Sequence, residues 1–344
     1  MPTSTQVRLA RRPNGEPRDD SFEFVERDLA ELSDGHVLLR VVYLSLDPYM
    51  RGRMSDAPSY ADPVAVGDTM VGGTVCVVEE SRHPEWQPGD LVLSYSGWQT
   101  HQISDGRGLR RLDPSVVPIS TALGVLGMPG FTAYAGLLAI GRPQEGETVV
   151  VAAATGPVGS AVGQIAKVKG ARAVGIAGGE EKRQALLDEF GYDVALDHRS
   201  PTFAEDLRAA VPEGVDVYFE NVGGRVAREV FKRMNLYGRV PVCGLVADYN
   251  ATGAPEGPDR LPGFMKLVLT KSLSVRGFIQ GEFTKSHGRD FVRDMSRWVA
   301  DGSVRYREDV VDGLDSAPEA FRGLLTGKNF GKLLVRVSPD PTQG

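Results

Sequence analysis

Glycines at a spacing that suits a phosphate follow an apolar, strand-like run near residue 150. Read from Ala154, the segment has the pattern A-x-G-x-x-G, with Gly156 and Gly159 as its glycines. The first glycine lets the backbone approach a pyrophosphate, and the second lets the following helix pack close to the strand. N–H groups at the start of that helix then receive the phosphates. We therefore expect a dinucleotide at this turn, the alternative being a structural glycine turn in some other α/β protein.

The next strand-like run bears on which dinucleotide binds. It ends in Gly178 and Gly179, where an NAD-specific site carries an acidic residue for the ribose 2′-hydroxyl. Lys182 lies just beyond, at the start of the next predicted helix, and a cation there pairs with a 2′-phosphate. This pattern predicts NADP(H) as the cofactor. Taken alone, Lys182 also fits an ordinary solvated helix lysine beside Glu180 and Glu181.

Two patterns along the chain predict the elements that must position this turn. Up to about residue 125, short alternating runs are cut by Gly and Pro, which indicates an all-β, barrel-like unit. From residue 148, strand-like and helical segments alternate, and the predicted helices cover 158–169, 180–190 and 225–234. Such alternation is typical of a parallel sheet covered by helices, the doubly wound α/β fold.

Composition limits the class of protein and the class of partner. The chain has 344 residues, 41% apolar and 24% charged, which suits a globular protein of two domains. Its 39 basic and 45 acidic residues give a net charge of −6, so neither nucleic acid nor an anionic membrane surface is expected as a partner. Since no apolar run approaches the length that spans a bilayer, we expect a cytoplasmic protein that binds a small molecule.

The chain also resembles a known family over nearly its whole length. The matching segments are 47–54 (DPYMRGRM), 128–134 (MPGFTAY), 158–167 (VGSAVGQIAK), 219–224 (FENVGG), 243–250 (CG, then YN) and 327–332 (GKNFGK). They are similar to those of the zinc-independent medium-chain dehydrogenase/reductase superfamily, in the branch of prostaglandin and leukotriene reductases, plant alkenal double-bond reductases and bacterial curcumin reductases. The resemblance implies a homodimer whose subunit has a GroES-like β-barrel domain (1–125 and 310–344) and a Rossmann domain (126–309).

The resemblance also carries the family's cofactor contacts onto residues of this chain. They are Thr155, Gly156, Val158 and Gly159 near the pyrophosphate, Lys182 at the 2′-phosphate, Asn221, Cys243, Gly244, Leu245 and Tyr249 around the nicotinamide and its ribose, Phe278, Ile279 and Gln280 against the carboxamide, and Asn329 near the phosphates. One position departs from the family, because His198, followed by Arg199, stands where a tyrosine is usual near the adenosine phosphate. His198 is a candidate phosphate contact, with a surface loop residue as the alternative.

The residue types present favour chemistry without a metal. Asp47 stands where zinc alcohol dehydrogenases carry their first cysteine ligand, and Gly72 and Gly73 stand where they carry Gly-His-Glu. Cys76 and Cys243 are isolated in apolar runs and cannot close a zinc site. We therefore expect no metal, and a hydride acceptor that needs no Lewis acid.

Reduction of an activated carbon–carbon double bond fits these residues. Hydride reaches the β-carbon and the substrate's own carbonyl holds the charge as an enolate, so hydrogen-bond donors suffice. Tyr249 is predicted to hold the enolate oxygen together with the cofactor ribose, and Tyr49 resembles a tyrosine that lines the family's substrate pocket. We expect an NADPH-dependent reductase of small hydrophobic 2-alkenals or enones. The alternatives are a quinone reductase and an NADP(H)-binding protein with little turnover.

Overall fold

The computed structural model describes residues 2–253 and 257–343, and the chain divides into two compact units. Unit 1 contains the residues up to Gly124 together with those from Glu308 onward. Unit 2 runs from Val125 to Arg307. Each unit has its own core, and the two are described separately.

The helices and strands are numbered along the chain. The residues up to Gly124 form β1 (Thr3–Leu9), β2 (Phe22–Asp28), β3 (Val37–Ser45), α1 (Tyr49–Arg53), β4 (Thr74–Ser81), β5 (Leu91–Ser94), β6 (His101–Ser104) and β7 (Arg110–Arg111). Unit 2 forms α2 (Met128–Ala135), β8 (Thr148–Ala152), α3 (Pro157–Val168), β9 (Arg172–Ala177), α4 (Glu180–Asp188), β10 (Val194–Asp197), α5 (Phe203–Ala210), β11 (Val215–Phe219), α6 (Gly224–Phe231), β12 (Met234–Val242), α7 (Leu261–Thr270), β13 (Ser274–Gly277) and α8 (Thr284–Ala300). The remaining residues form β14 (Glu308–Asp312), α9 (Ala317–Leu325) and β15 (Lys332–Arg336).

Unit 1 is built on a mixed sheet to which both ends of the chain contribute. Its strand order is β14-β15-β3-β4-β5-β7, and β6 pairs with β3. The paired strands are antiparallel except β14 and β15, which run parallel. A separate antiparallel ribbon is formed by β1 and β2.

The core of unit 1 joins the early strands to the last helix. Trp98 is fully buried, stacks on Phe22 of β2 at 5.7 Å between ring centroids, and meets Phe321 of α9 edge-on at 5.6 Å. Aromatic pairs of this kind contribute about 0.5–1.5 kcal/mol each beyond the area that they bury. The aromatic cluster therefore holds segments that are almost 300 positions apart along the chain.

Unit 2 is a parallel sheet with strand order β10-β9-β8-β11-β12-β13. Each residue of β8 is buried, as expected for a strand with helices on both faces of its sheet. From β8 the chain moves outward to β9 and β10, then returns to β11 and proceeds the other way to β13. This reversal between β8 and β11 is the switch point where open sheets of this order bind dinucleotides. The predicted fold class, an α/β chain with a GroES-like unit and a doubly wound parallel sheet, is confirmed.

The predicted helix boundaries are close for two helices and wrong for the third. The first two predictions, 158–169 and 180–190, lie within two residues of α3 and α4. The prediction over 225–234 ends too late, because Met234 begins β12 and pairs with Val215. The buried side chain of Met234 fits helical spacing in the sequence but packs in the sheet core instead. Within the described ranges, no helix is long and apolar enough to cross a bilayer.

Candidate functional site

The turn that follows β8 has a geometry suited to a phosphate. Ala153 takes a left-handed conformation with φ of 50°, and Gly156 caps the start of α3, whose first residue is Pro157. A Cβ on Gly159 would stand 2.4 Å from the carbonyl oxygen of Ala153, so only glycine lets α3 pack this close. A Cβ on Gly156 would meet that oxygen at an ordinary 3.4 Å, so packing does not require glycine there. The bare Gly156 and the first-turn N–H groups of α3 form a cradle that fits a pyrophosphate.

Tyr192, which the sequence motifs do not single out, fixes the first turn of α3. Its buried hydroxyl donates a hydrogen bond to the carbonyl oxygen of Gly159 at 2.7 Å. Its ring fills the space that a side chain on Gly163 would need, since a Cβ there would lie 2.0 Å from the ring. Two glycines four residues apart on one helix face were the available signal that a large side chain packs against them.

The ends of β9 and β10 bring basic side chains over the two glycines that replace the acidic residue. A Cβ on Gly178 would lie 2.8 Å from both His198 Nε2 and Arg199 Nε, so these side chains cover it. Gly179 has φ of 92°, a conformation that favours glycine. The Asp197 carboxylate accepts the backbone N–H of Arg199 at 2.8 Å and so holds this turn. The end of β9 therefore suits a phosphate group better than a bare ribose hydroxyl.

The charges around His198 decide its protonation state. Burial lowers the pKa of the His198 imidazole, the positive charges of Arg199, Arg225 and Lys182 lower it further, and Asp197 opposes the shift. The imidazole is therefore neutral at neutral pH and offers a hydrogen bond rather than a charge. The positive charge at this end comes from Lys182, Arg199 and Arg225, which we call the cation cluster.

A buried carboxylate, absent from the predicted contacts, follows β11 directly. Glu220 is 2% exposed, and its Oε1 accepts the N–H groups of Val222 and Gly223 at 2.5 and 2.9 Å. Its Oε2 accepts the Tyr218 hydroxyl at 2.9 Å. The Glu220 carbonyl oxygen accepts the N–H of Gly244 at 3.2 Å. Burial raises the pKa of Glu220, and the hydrogen-bond donors oppose that rise.

Asn221 connects the two strands at the switch point. Its side-chain Nδ2 donates to the carbonyl oxygen of Ala152, the last residue of β8, at 2.8 Å. Its own carbonyl oxygen accepts the N–H of Val246, in the loop after β12, at 3.2 Å. Asn221 therefore joins the carboxyl ends of β8, β11 and β12. Its contact with the nicotinamide ribose stays a prediction.

Tyr249 folds back onto these strand ends. A Cβ on Gly244 would lie 3.2 Å from the Tyr249 hydroxyl oxygen and 3.5 Å from the carbonyl oxygen of Asn221. The absence of a side chain at Gly244 thus lets the phenol lie against the backbone where β11 and β12 end. Of the predicted nicotinamide contacts, the structure brings Asn221, Gly244 and Tyr249 together.

Cys243 lies at the same place but has no reactive thiolate. Burial raises the pKa of its thiol to about 12, and the negative charge of Glu220 adds to the shift. The thiol is therefore protonated at neutral pH and is neither a nucleophile nor a metal ligand in this state.

The residues predicted to contact the carboxamide follow β13 and differ in their exposure and their contacts. Phe278 is half-buried, with its ring centroid 6.2 Å from that of Phe219. Ile279 exposes its side chain, and its N–H donates to the Glu282 carboxylate at 2.8 Å. Gln280 is half-buried and begins a short 3₁₀ turn. Their role at the cofactor stays a prediction.

The other predicted cofactor residues lie at scattered positions. Thr155 is buried in the glycine turn and Val158 is half-buried at the start of α3. Leu245, in the loop after β12, exposes its side chain and lies beside Gly223. Asn329 belongs to unit 1, where its Nδ2 donates to the carbonyl oxygen of Gly331 at 2.9 Å.

In unit 1, Tyr49 begins α1 two residues after a buried ion pair. Lys332 Nζ lies 2.9 Å from Asp47 Oδ1 and donates to the carbonyl oxygen of Leu46 at 2.8 Å, and the two charged side chains are 3% and 7% exposed. Burial raises the pKa of the Tyr49 phenol, and the charge of Asp47 adds to the rise. Tyr49 is therefore a hydrogen-bond donor at neutral pH.

The site residues also bear on metal binding. Asp47, at the position of a zinc ligand in related dehydrogenases, is occupied by its ion pair with Lys332. In the part of the chain that the structure describes, no group of three or more His, Cys, Asp or Glu side chains is placed to hold a metal ion.

Family models match both units of the chain. Residues 5–112 match a model described as the N-terminal domain of oxidoreductase, and residues 157–300 match one described as zinc-binding dehydrogenase.

Individual proteins match over nearly the whole chain. An Escherichia coli K12 protein described as NADPH-dependent curcumin reductase is 55% identical over 332 residues, which cover 96% of each chain. Prostaglandin reductase 1 from Oryctolagus cuniculus is 42% identical over 329 residues, covering 94% of this chain and 90% of the relative. The crystal structure of CurA in complex with NADPH from Vibrio vulnificus is 52% identical, has a TM-score of 0.94, and is matched over 98% of this chain and 100% of that one.

Proposed function

This chain belongs to the zinc-independent branch of the medium-chain dehydrogenase/reductase family, and we propose that it reduces the carbon–carbon double bond of α,β-unsaturated aldehydes and ketones with NADPH. The relatives described as curcumin reductase and prostaglandin reductase support an oxidoreductase of this kind. The observation in this chain that carries the proposal is the position of Tyr249, whose hydroxyl lies against Gly244 where β11 and β12 end.

NADP(H) fits the residues at the carboxyl edge of the unit 2 sheet. The cradle at Gly156 suits the pyrophosphate, and the cation cluster suits the 2′-phosphate. Gly178 takes the place of an acidic side chain that would repel that phosphate. The prediction of NADP(H) is confirmed by the relative described as NADPH-dependent and by the Vibrio vulnificus structure with NADPH.

We assign to Tyr249 the role of stabilising the negative charge that develops on the substrate. When bound, NADPH supplies the hydride that the β-carbon of the enone accepts. The carbonyl oxygen of the substrate then carries enolate charge, which a nearby hydrogen-bond donor stabilises. A tyrosine phenol is protonated at neutral pH, so Tyr249 donates to this oxygen. The α-carbon takes its proton from Tyr249 or from water.

The predicted role of Tyr49, a tyrosine that lines the substrate pocket, needs a protonated phenol. Its raised pKa keeps the phenol protonated, and the buried pair of Asp47 and Lys332 anchors the backbone just before it. Tyr49 is thus a protonated phenol of unit 1 that can donate a hydrogen bond to a ligand.

Turnover with a panel of hydride acceptors tests the proposed reaction. The chain is mixed with NADPH and with alkenals, enones or quinones, and the loss of NADPH absorbance is followed. We expect oxidation with the alkenals and enones. Oxidation with quinones alone would favour a quinone reductase, and no oxidation with any acceptor would leave only an NADP(H)-binding protein.

The variant Tyr249→Phe tests the assigned donor. Its kcat should fall by about tenfold to a hundredfold, the usual effect of losing one donor to a developing oxyanion. Tyr237→Phe, which alters an exposed tyrosine of β12, is the matched control and should keep the wild-type kcat. An unaltered kcat in Tyr249→Phe would mean that the ribose and water stabilise the enolate alone.

We also propose that two copies of the chain associate through the edge of the unit 2 sheet. β13 is exposed at each residue and pairs with β12, with no second partner among the described strands. The neighbouring helix α7 exposes Leu261, Met265 and Leu269. An unpaired edge beside apolar side chains is a surface that proteins normally cover, and a second copy covers both symmetrically.

The mass of the chain in solution tests this association. Light scattering should give the mass of two chains for the wild type and of one chain for Leu269→Lys. Val116→Lys alters an exposed apolar residue of unit 1 and should leave the dimer intact. A monomeric wild type would overturn the proposal.

A further inference from the structure

The two halves of the unit 2 sheet suit the two halves of a dinucleotide. The adenosine half belongs to the ends of β9 and β10, where the cation cluster lies, and the pyrophosphate belongs to the start of α3. The nicotinamide half therefore belongs across the switch point, at the ends of β11 and β12. Glu220 is the carboxylate buried at that end.

The neighbours of Glu220 favour its ionised form. Oε1 accepts the N–H groups of Val222 and Gly223, and Oε2 accepts the Tyr218 hydroxyl. Three donors that converge on two oxygens suit a carboxylate, which only accepts. The site is thus built around a negative charge.

This charge has no cationic partner next to it. In residues 2–253 and 257–343, the polar partners of the Glu220 carboxylate are backbone amides and a phenol rather than Lys, Arg or His. Its negative charge acts on the neighbouring strand end, where it raises the pKa of the Cys243 thiol. The loop that carries Tyr249 begins at this same strand end.

We infer that Glu220 is a fixed negative charge that favours the oxidised nicotinamide over the reduced one. The reduced ring is neutral, and the departure of a hydride, which carries two electrons and one proton, leaves the ring with one positive charge. A buried anion stabilises that positive form because charges are weakly screened inside a protein. Glu220 thereby increases the tendency of bound NADPH to donate hydride. The inference rests on the proposed use of NADP(H) by this chain.

Equilibrium binding of the two cofactor forms tests this without turnover. The dissociation constants of NADP⁺ and NADPH are measured for the full chain by calorimetry at about pH 8, far above the ordinary pKa of a glutamate carboxyl. Glu220→Gln keeps the shape of the side chain and removes its charge. We expect it to weaken NADP⁺ about tenfold more than NADPH, the order expected for one unit charge in a partly buried site.

Two further variants separate charge from position. Glu220→Asp keeps the charge on a shorter side chain, so the ratio of the two dissociation constants should stay within about twofold of wild type even where both affinities fall. Asp216→Asn removes a carboxylate from the amino end of β11, where it accepts the N–H of Thr148 and the side-chain amide of Asn235, each at 2.8 Å. Its ratio should equal that of the wild type, because this end lies away from the cofactor edge.

Each outcome decides between the inference and the proposed function. A wild-type ratio in Glu220→Gln overturns the inference and leaves the proposed function standing. A wild-type chain that binds neither nucleotide overturns the proposed function instead. If Glu220→Gln does not fold, Tyr218→Phe replaces it, because this change leaves the carboxylate one donor short. The ratio of the two dissociation constants should then differ from that of the wild type, and an unchanged ratio again overturns the inference.

Discussion

The adenosine end and the nicotinamide end of the unit 2 sheet carry charge in opposite ways. At the ends of β9 and β10, the cation cluster surrounds a half-buried, neutral His198, and Arg199 and Arg225 are exposed. At the ends of β11 and β12, the buried charge is the carboxylate of Glu220, which amide and phenol donors enclose. In the proposed mode of binding, the positive end, formed by the cation cluster, receives the phosphate part of NADP(H), and the negative end, formed by Glu220, lies toward the ring that becomes cationic.

The difference in burial predicts how the charges at each end respond to salt. Salt screens interactions between exposed charges, whereas a buried charge is screened much less. The cation cluster should therefore set cofactor selectivity in a salt-dependent way. Glu220 should set the balance between oxidised and reduced cofactor in a way that salt changes little.

The largest expected effect comes from removing one positive charge of the cation cluster. Lys182→Ala should weaken NADPH binding by about 1.5–3 kcal/mol, the worth of a charge-assisted hydrogen bond, and should leave NADH binding unchanged. Titration of both cofactors at low and high salt measures the effect, which should shrink as salt rises.

The matched control for this variant is its neighbour on α4. Arg183 donates from Nε to Glu180 Oε2 at 2.7 Å, so Arg183→Ala should leave NADPH affinity unchanged. Equal losses of NADPH and NADH affinity in Lys182→Ala would show that Lys182 supports the fold rather than the phosphate.

A smaller effect is expected from removing one hydrogen bond to the Glu220 carboxylate. Tyr218→Phe removes one donor to the Glu220 carboxylate and should lower the free energy of unfolding by about 1–2 kcal/mol. Urea unfolding measures the loss. Tyr43→Phe, which removes a similar bond to Asp340 in unit 1, should cost about as much, but it should not change the relative affinities of NADP⁺ and NADPH. A Tyr218→Phe chain as stable as wild type would show that the carboxylate does not depend on this donor.

The positive end could be predicted largely from the sequence because its signals are local. Gly156 and Gly159 are spaced along one turn, and Gly178 ends a recognisable strand, so each is read within a few residues. The covering of Gly178 by His198 and Arg199 was not predictable in this way. It depends on β10 lying beside β9, which brings residues 20 positions away over the glycine.

The negative end could not be predicted from residue types. A glutamate after an apolar strand is usually a solvated side chain, and Glu220 lies inside a motif whose asparagine and glycines attract attention first. Its burial arises from Tyr218 on its own strand and from the loop after β12, which packs only once the sheet has formed. The apolar run of β11 leading directly into a charged residue was the one available signal.

The smallest effect is the pH dependence that distinguishes an unpaired carboxylate from a paired one. Burial raises the pKa of Glu220 in the folded chain, so its ionisation costs stability above the folded pKa and costs nothing below the unfolded pKa of about 4.3. Burial also acts to raise the pKa of Glu147, but the Arg239 guanidinium at 2.9 Å and the N–H of Gln144 at 2.8 Å together outweigh it, and the pKa is lowered. Glu147 thus contributes stability above about pH 4.3 that is lost as the pH falls through its folded pKa.

The stabilities of Glu220→Gln and Glu147→Gln, each relative to wild type, should therefore depend on pH in different ways. The free energy of unfolding of Glu220→Gln relative to wild type should fall as the pH falls from neutral toward about 4.3, because wild type loses its ionisation cost. The deficit of Glu147→Gln should stay constant over that range and shrink only below about pH 4.3, as wild type loses its ion pair. Urea unfolding between about pH 7 and pH 3.5 measures both differences, and a common pH dependence would show that the two carboxylates share one electrostatic environment.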